Sequence, residues 1–218
     1  MAIKIKICGM KYPENIQEIA SLQPDYLGFI FYEKSARNVE INTLPTLPEN
    51  IQKVGVFVNA TVEEIKSKIN QYDLDVLQLH GNESVAFCKE VQAYVETLPK
   101  KISLIKVFSV GETFDFSTLL PYEAVCDYFL FDTKGKQHGG NGITFDWKLL
   151  DNYPSEKPFF LSGGIGINEL EEVKQFLKST KARWCHALDI NSQLEIEPGL
   201  KYFPACKKFI EELVISEE

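Results

Sequence analysis

The chain alternates between two patterns. Short runs of apolar, β-branched and aromatic residues are each followed by a turn, and then by a stretch in which apolar residues recur every three or four positions. That alternation marks parallel β-α-β units, whose strands are covered on both faces and so read as nearly continuous apolar runs. Eight such runs occur, at 3–8, 26–31, 53–58, 76–79, 103–108, 128–132, 159–162 and 185–190. Between them, Val62, Ile65, Ile69 and Tyr72 recur at helical spacing, and Thr61 with Glu64 forms a capping box at the head of that segment. Ile167, Leu170, Val173 and Leu177 mark another helical face, while Cys206, Phe209, Ile210 and Leu213 give the last helix its apolar side. After Asn38 the pattern predicts a helix that is short or irregular, because Pro45 and Pro48 lie close together.

Eight strands with crossovers in 218 residues predict a single-domain (β/α)8 barrel, a TIM barrel, over residues 1–218, in preference to an open doubly wound sheet. A hydrophobic content of 44% is enough for one sizeable core. Active sites of closed α/β barrels gather at the C-terminal ends of the strands, so the residues where each run stops become the candidates. Those ends supply Cys8 and Gly9, Arg37 in the loop after the second strand, Asn59, His80 and Gly81, Phe108, Asp132, Gly163 and Gly164, and Asp189 with Asn191 and Ser192. Together they predict a polar ring at one mouth of the barrel.

Charge and cysteine usage narrow the partners. The formal net charge is -8 and no Lys/Arg run is sustained, which argues against a nucleic-acid groove. The five cysteines are odd in number and widely spaced, with no C-x-x-C pair, so neither a disulfide framework nor a zinc site is expected. The N-terminus alternates polar and apolar residues where a secretory signal needs a continuous apolar stretch, and no span has transmembrane length. A reducing cytoplasm and no membrane partner are the expectation.

Cys8 ends the first strand and precedes Gly9, which aims its sulfur at the mouth; a thiol of ordinary pKa near 8.5 serves as a base there if its surroundings lower that value. The other four cysteines are expected to be packing. Asp132 closes a run of four apolar or aromatic residues, and a carboxyl in a partly desolvated mouth becomes able to donate a proton. Ser162, Gly163 and Gly164 lead from the seventh strand toward a helix, a setting in which backbone N–H groups approach an anion closely. With Asn191 and Ser192 after the eighth strand they form a candidate phosphate site. Gly140 and Gly142, in the glycine-rich segment at 139–142, are a candidate lid or second phosphate cradle. Arg37 is a candidate for bidentate recognition of a carboxylate, and His80 and Asp189 are possible substrate contacts. His138 and His186 show no partner pattern.

Ordered motifs along the chain are similar to those of phosphoribosylanthranilate isomerases of tryptophan biosynthesis. They include Lys-Ile-Cys-Gly-Met at 6–10, Asp-Tyr-Leu-Gly-Phe-Ile-Phe at 25–31 followed by Ser35-Ala36-Arg37, Val-Gly-Val-Phe-Val-Asn at 54–59 and Leu-Gln-Leu-His-Gly-Asn-Glu at 77–83. Phe-Asp-Thr at 131–133, Gly-Gly-Asn-Gly at 139–142, Leu-Ser-Gly-Gly-Ile at 161–165 and Glu-Pro-Gly-Leu-Lys at 197–201 continue the likeness. The chain departs from the family pattern at Ala36, usually proline, at Asn141, usually threonine or serine, and across 189–195. The resemblance implies an Amadori rearrangement of N-(5-phosphoribosyl)anthranilate to 1-(2-carboxyphenylamino)-1-deoxyribulose 5-phosphate, a step of aromatic amino acid biosynthesis. It implies Cys8 as general base, Asp132 as general acid, Arg37 facing the anthranilate carboxylate, no cofactor and no metal, in a monomer or homodimer. Two other readings are a different phosphosugar isomerase on the same barrel and a non-catalytic barrel that binds a phosphate ligand. The related aminosugar isomerase of histidine biosynthesis, with two aspartates, lacks the cysteine that stands here at position 8.

Overall fold

The computed structural model describes residues 3–133 and 145–214. Eight parallel strands form the expected closed barrel: β1 (Lys4–Ile7), β2 (Tyr26–Phe31), β3 (Gln52–Phe57), β4 (Val76–Leu79), β5 (Ser103–Val110), β6 (Tyr128–Thr133), β7 (Phe159–Leu161) and β8 (Cys185–Ile190). Each strand pairs with the next and β8 closes onto β1, with Lys4, Ile5, Lys6 and Ile7 opposite Ala187, Leu188, Asp189 and Ile190. Alternate residues point inward. Tyr26, Val54, Val56, Val76, Ile105, Val107, Leu130, Phe160 and Ala187 fill the barrel interior, and a larger apolar layer lies between the strands and the outer elements.

A repeated device sets the strand starts. Asp25, Asp75 and Asp127 each precede an even-numbered strand, and each carboxylate accepts the amide of a residue in the strand before it: Ile5 (2.9 Å), Lys53 (2.7 Å) and Leu104 (2.7 Å). A charged acceptor at these positions strengthens the bond and fixes register between neighbours.

Among the described residues five α-helices follow strands: α1 (Pro13–Ala20), α2 (Val62–Tyr72), α3 (Val85–Val95), α4 (Leu170–Leu177) and α5 (Phe203–Val214). Both halves of the capping box expected at α2 are present, the Glu64 amide donating to Thr61 Oγ1 and the Thr61 amide to Glu64 Oε2, and the expected face is buried. The face at 167–177 is shifted. Ile167 lies in a 3-10 turn (Ile167–Glu169), and α4 buries Leu170, Val173 and Phe176 while Leu177 is half-buried. In α5, Cys206, Phe209 and Leu213 are buried and Ile210 half-buried.

The helix expected after Asn38 is absent. Pro45 and Pro48 deny amides to any helical ladder there, and the irregular segment is tied to α2, where Tyr72 Oη donates to Ile41 O (2.6 Å) and Gln71 Nε2 to Asn42 O (2.9 Å). After β5 and β6 the covering pieces are 3-10 segments, Phe116–Tyr122 with Pro121 inside it and Trp147–Asn152. Aromatic rings occupy the layer beneath them: Phe131 meets Phe114, Phe116, Tyr153 and Phe159 at centroid distances of 5.2 to 6.3 Å. A short antiparallel hairpin, β9 (Glu195–Glu197) with β10 (Leu200–Lys201), follows β8. Among the described residues no helix is long and apolar enough to cross a membrane.

At the N-terminal end of the barrel, His186 does have a partner: its Nε2 shares a hydrogen bond with Tyr26 Oη (2.8 Å), and its ring packs on Tyr128 and Phe160. Burial, with Lys4 nearby, pushes its pKa down to about 4. An unfolded histidine takes a proton near pH 6.5, so the folded state binds fewer protons between those values and stability falls as pH drops through that window. We expect His186→Gln to flatten this part of the stability curve. Urea midpoints measured from pH 7 to 4.5 should fall more steeply for the wild type, and parallel curves would contradict the assignment.

Candidate active site

Cys8 continues the line of β1, its amide donating to Ile190 O (2.9 Å), and its side chain packs with the barrel interior. Room for the sulfur comes from Gly28 on β2: a Cβ there would lie 2.7 Å from Sγ. Two residues earlier on the same face, Lys6 is wholly buried and donates to Asp189 Oδ1 across the β1–β8 seam at 2.7 Å. Burial acts against the Lys6 charge, but Asp189 and Cys8 outweigh it and hold the pKa above the ordinary lysine value. Burial also pushes the Cys8 thiol up, with Lys6 and Lys201 pulling the other way. The lowered thiol pKa that would favour a resting base is therefore not present; what the site offers is cations placed to receive a thiolate once it forms.

Asp132 lies near the end of β6, on the far side of the mouth, separated from β1 by β7 and β8. Its Oδ1 accepts the Thr133 amide (3.0 Å), and its Oδ2 is 3.3 Å from His80 Nε2. His80 follows β4, and its Nδ1 is 3.2 Å from Nε2 of the buried Gln78. Gln78 Oε1 is buried with no partner among the described residues, which costs on the order of 1–3 kcal/mol for a neutral acceptor.

Both groups line one cleft at the C-terminal end of the barrel. Arg37, His80, Asp189, Asn191 and Ser192 line it too, as do Ser162, Gly163 and Gly164. Asn59 and Phe108 do not: the Asn59 side chain accepts the Asn82 amide, and Phe108 borders a neighbouring groove. Gly140, Gly142 and His138 lie outside the described residues. The other four cysteines sit in packed positions, Cys88, Cys126 and Cys206 fully buried and Cys185 half-buried at the start of β8.

Gly163 and Gly164 both have left-handed backbone, with φ of 93° and 71°. Glycine takes this conformation without strain, and a Cβ at Gly163 would run into Thr133. Their amides make no hydrogen bond among the described residues.

Arg37 reaches the cleft rim already paired. Its Nε is 3.0 Å from both oxygens of Glu195 and its Nη2 donates to Glu195 Oε2 at 2.6 Å. Glu195 also accepts from buried Lys201 (2.6 Å) and the Gly199 amide (3.1 Å), while Lys201 donates to Asn191 Oδ1 (2.7 Å). Burial opposes the Glu195 charge, but Arg37 and Lys201 keep its carboxyl below the usual range. Asp189 is likewise committed to Lys6. None of Glu195, Lys201, Gln78 and Lys6 was a candidate site residue in the sequence, although Lys6, Gln78 and Lys201 stand in motifs of the resemblance and Lys6 is spaced two from Cys8. Among the described residues no group of three or more His, Cys, Asp or Glu side chains is placed to hold a metal ion.

Comparison with known proteins agrees with this arrangement. A family model described as N-(5'-phosphoribosyl)anthranilate (PRA) isomerase matches residues 5–212. The chain is 44% identical over 215 residues to the N-(5'-phosphoribosyl)anthranilate isomerase of Parabacteroides distasonis, covering 96% of this chain and 93% of that one. It is 40% identical over 209 residues to the protein of the same name from Phocaeicola vulgatus, covering 96% and 97%. A crystal structure of phosphoribosyl anthranilate isomerase in complex with reduced 1-(o-carboxyphenylamino)-1-deoxyribulose 5-phosphate matches with a TM-score of 0.78 and 27% identity, over 97% of this chain and 98% of that one. With a closed eight-stranded barrel, a cysteine and an aspartate facing one cleft, and these matches along nearly its whole length, the chain belongs to the N-(5'-phosphoribosyl)anthranilate isomerase family.

Proposed function

We propose that Cys8 and Asp132 are the base and acid with which this barrel, acting as one domain, rearranges N-(5-phosphoribosyl)anthranilate into 1-(2-carboxyphenylamino)-1-deoxyribulose 5-phosphate. The observation that carries the assignment is that the thiol on β1 and the carboxyl on β6 line the same cleft from two sides of its mouth. Asp132 gives a proton to the furanose ring oxygen. The C1–oxygen bond breaks and the anthranilate nitrogen supplies the electrons for an iminium. That cation acidifies the hydrogen on C2, which Cys8 removes as its thiolate, and the resulting enolamine takes a proton at C1 and releases the proton of its C2 hydroxyl to become the ketone. Lys6 compensates the thiolate while it carries negative charge.

The substrate has two anionic groups, and the cleft offers a group to each. The phosphate fits the turn of Ser162, Gly163 and Gly164, with Asn191 and Ser192 beside it, and Gly140 and Gly142 are proposed as a further cradle. The anthranilate carboxylate meets the N–H groups of Arg37 that Glu195 leaves open. The five cysteines are free thiols, in keeping with a reducing cytoplasm.

The substrate is fluorescent and its loss is followed directly. We expect Cys8→Ala and Asp132→Asn each to lower kcat by roughly 100- to 10,000-fold, the contribution usual for one proton-transferring side chain, with the thermal midpoint little changed. Near-wild-type turnover by either variant would remove that residue from the mechanism. Arg37→Ala should act on KM: losing a charge-assisted bond worth about 1.5–3 kcal/mol raises KM by roughly ten- to a hundredfold, and an unchanged KM would place the carboxylate elsewhere.

A further inference from the structure

Gln78 occupies a position that packing alone would fill with an apolar side chain. Its Cα pairs with Val56 on one side and Ile105 on the other, both apolar and buried. The carboxamide is buried as well, with one end bonded to His80 and Oε1 left without a partner among the described residues. Gln78 also lines the cleft that holds Asp132, and its donor end is turned to His80.

The contacts of His80 define that use. Gln78 and His80 are two residues apart along β4 and its extension, and Gln78 Nε2 lies 3.2 Å from His80 Nδ1. An amide nitrogen donates and does not accept, so with the amide in this orientation Nδ1 is the bare nitrogen and the ring proton sits on Nε2. Nε2 is in turn 3.3 Å from Asp132 Oδ2. A bare Nε2 opposite the carboxylate that Asp132 becomes on giving up its proton would set lone pair against lone pair, whereas Nε2–H donates to it. One tautomer, with its proton on Nε2, satisfies both contacts.

We propose that Gln78 is a positioning residue: its carboxamide fixes His80 as the Nε2–H tautomer and aims that proton at Oδ2 of Asp132. Resting on Asp132 as the acid, the consequence for the reaction is specific. When Asp132 gives up its proton, the carboxylate left behind meets an N–H already in place, so the charge that develops is stabilised without rearrangement of the site. An amide turned end for end would put Oε1 against Nδ1. The ring proton would then sit on Nδ1 and Nε2 would accept from a protonated Asp132.

Nitrogen-15 NMR of histidine-labelled protein separates these arrangements, with the His80 signals assigned by their loss in His80→Ala. In the wild type the His80 shifts should show a bare Nδ1 and a protonated Nε2, and Gln78→Leu, which fills the same space, should give a mixture of tautomers. The same variant should lower kcat by about tenfold, the scale of one neutral hydrogen bond, with KM little changed, and should have no further effect in a His80→Ala background. Protonation at Nδ1 in the wild type would overturn the proposal, as would an unchanged NMR pattern in Gln78→Leu. A tautomer change with unaltered kcat would overturn the part proposed for Gln78 in the reaction, whatever Asp132→Asn shows of Asp132.

Discussion

Lys6 and Asp189 face one another across the seam where β8 closes onto β1, 2.7 Å apart and sealed from solvent. Removing one member of a buried pair leaves an uncompensated charge and costs about 3–5 kcal/mol, so this contact constrains both strands. Cys8 follows Lys6 by two residues on the same face, which places the thiol beside a fixed ammonium at the point where the barrel closes. Burial alone would keep the sulfur neutral. The neighbouring cations reduce that penalty, and they do so within the architecture that closes the sheet.

A second buried chain of charges runs outward from the same region. Lys201 on the β9–β10 hairpin holds Glu195, and Glu195 holds Arg37 through its guanidinium fork. A loop arginine on a long side chain is ordinarily mobile; here its orientation is set by a carboxylate that is itself pinned from behind. On the opposite wall Gln78, His80 and Asp132 form a shorter, hydrogen-bonded line. Asp132 and Cys8 therefore have separate supports, one through hydrogen bonds and the other through charge.

Much of the scaffold was legible in the sequence because parallel strands covered on both faces read as unbroken apolar runs. Their ends led directly to Cys8, Asp132 and the turn at Gly163 and Gly164. The expected helix after Asn38 failed where Pro45 and Pro48 intervene, and aromatic packing replaces regular helices around Phe131. The Asp25, Asp75 and Asp127 device was present as a recurring aspartate before a strand, but its meaning depends on which neighbouring amide lies opposite. Arg37 was read from its chemistry as open to a ligand; its pairing with Glu195 spans 158 positions of sequence and follows from the hairpin's placement. Lys6 was accessible to simple alternation, whereas Gln78 looked like any polar residue inside a strand until its unpartnered oxygen and its neighbour were located.

If Cys8 and Asp132 are base and acid, one pentose lies between sulfur and carboxyl, with its phosphate on the glycine turn. A crystal structure of the protein with a reduced, unreactive analogue of the aminodeoxyribulose phosphate would show this. C2 of the sugar should lie against Cys8 Sγ, the C4 oxygen against Asp132, and the phosphate on the amides of Gly163 and Gly164. A sugar bound with C2 turned away from Cys8, or a phosphate seated on the opposite side of the cleft, would contradict it.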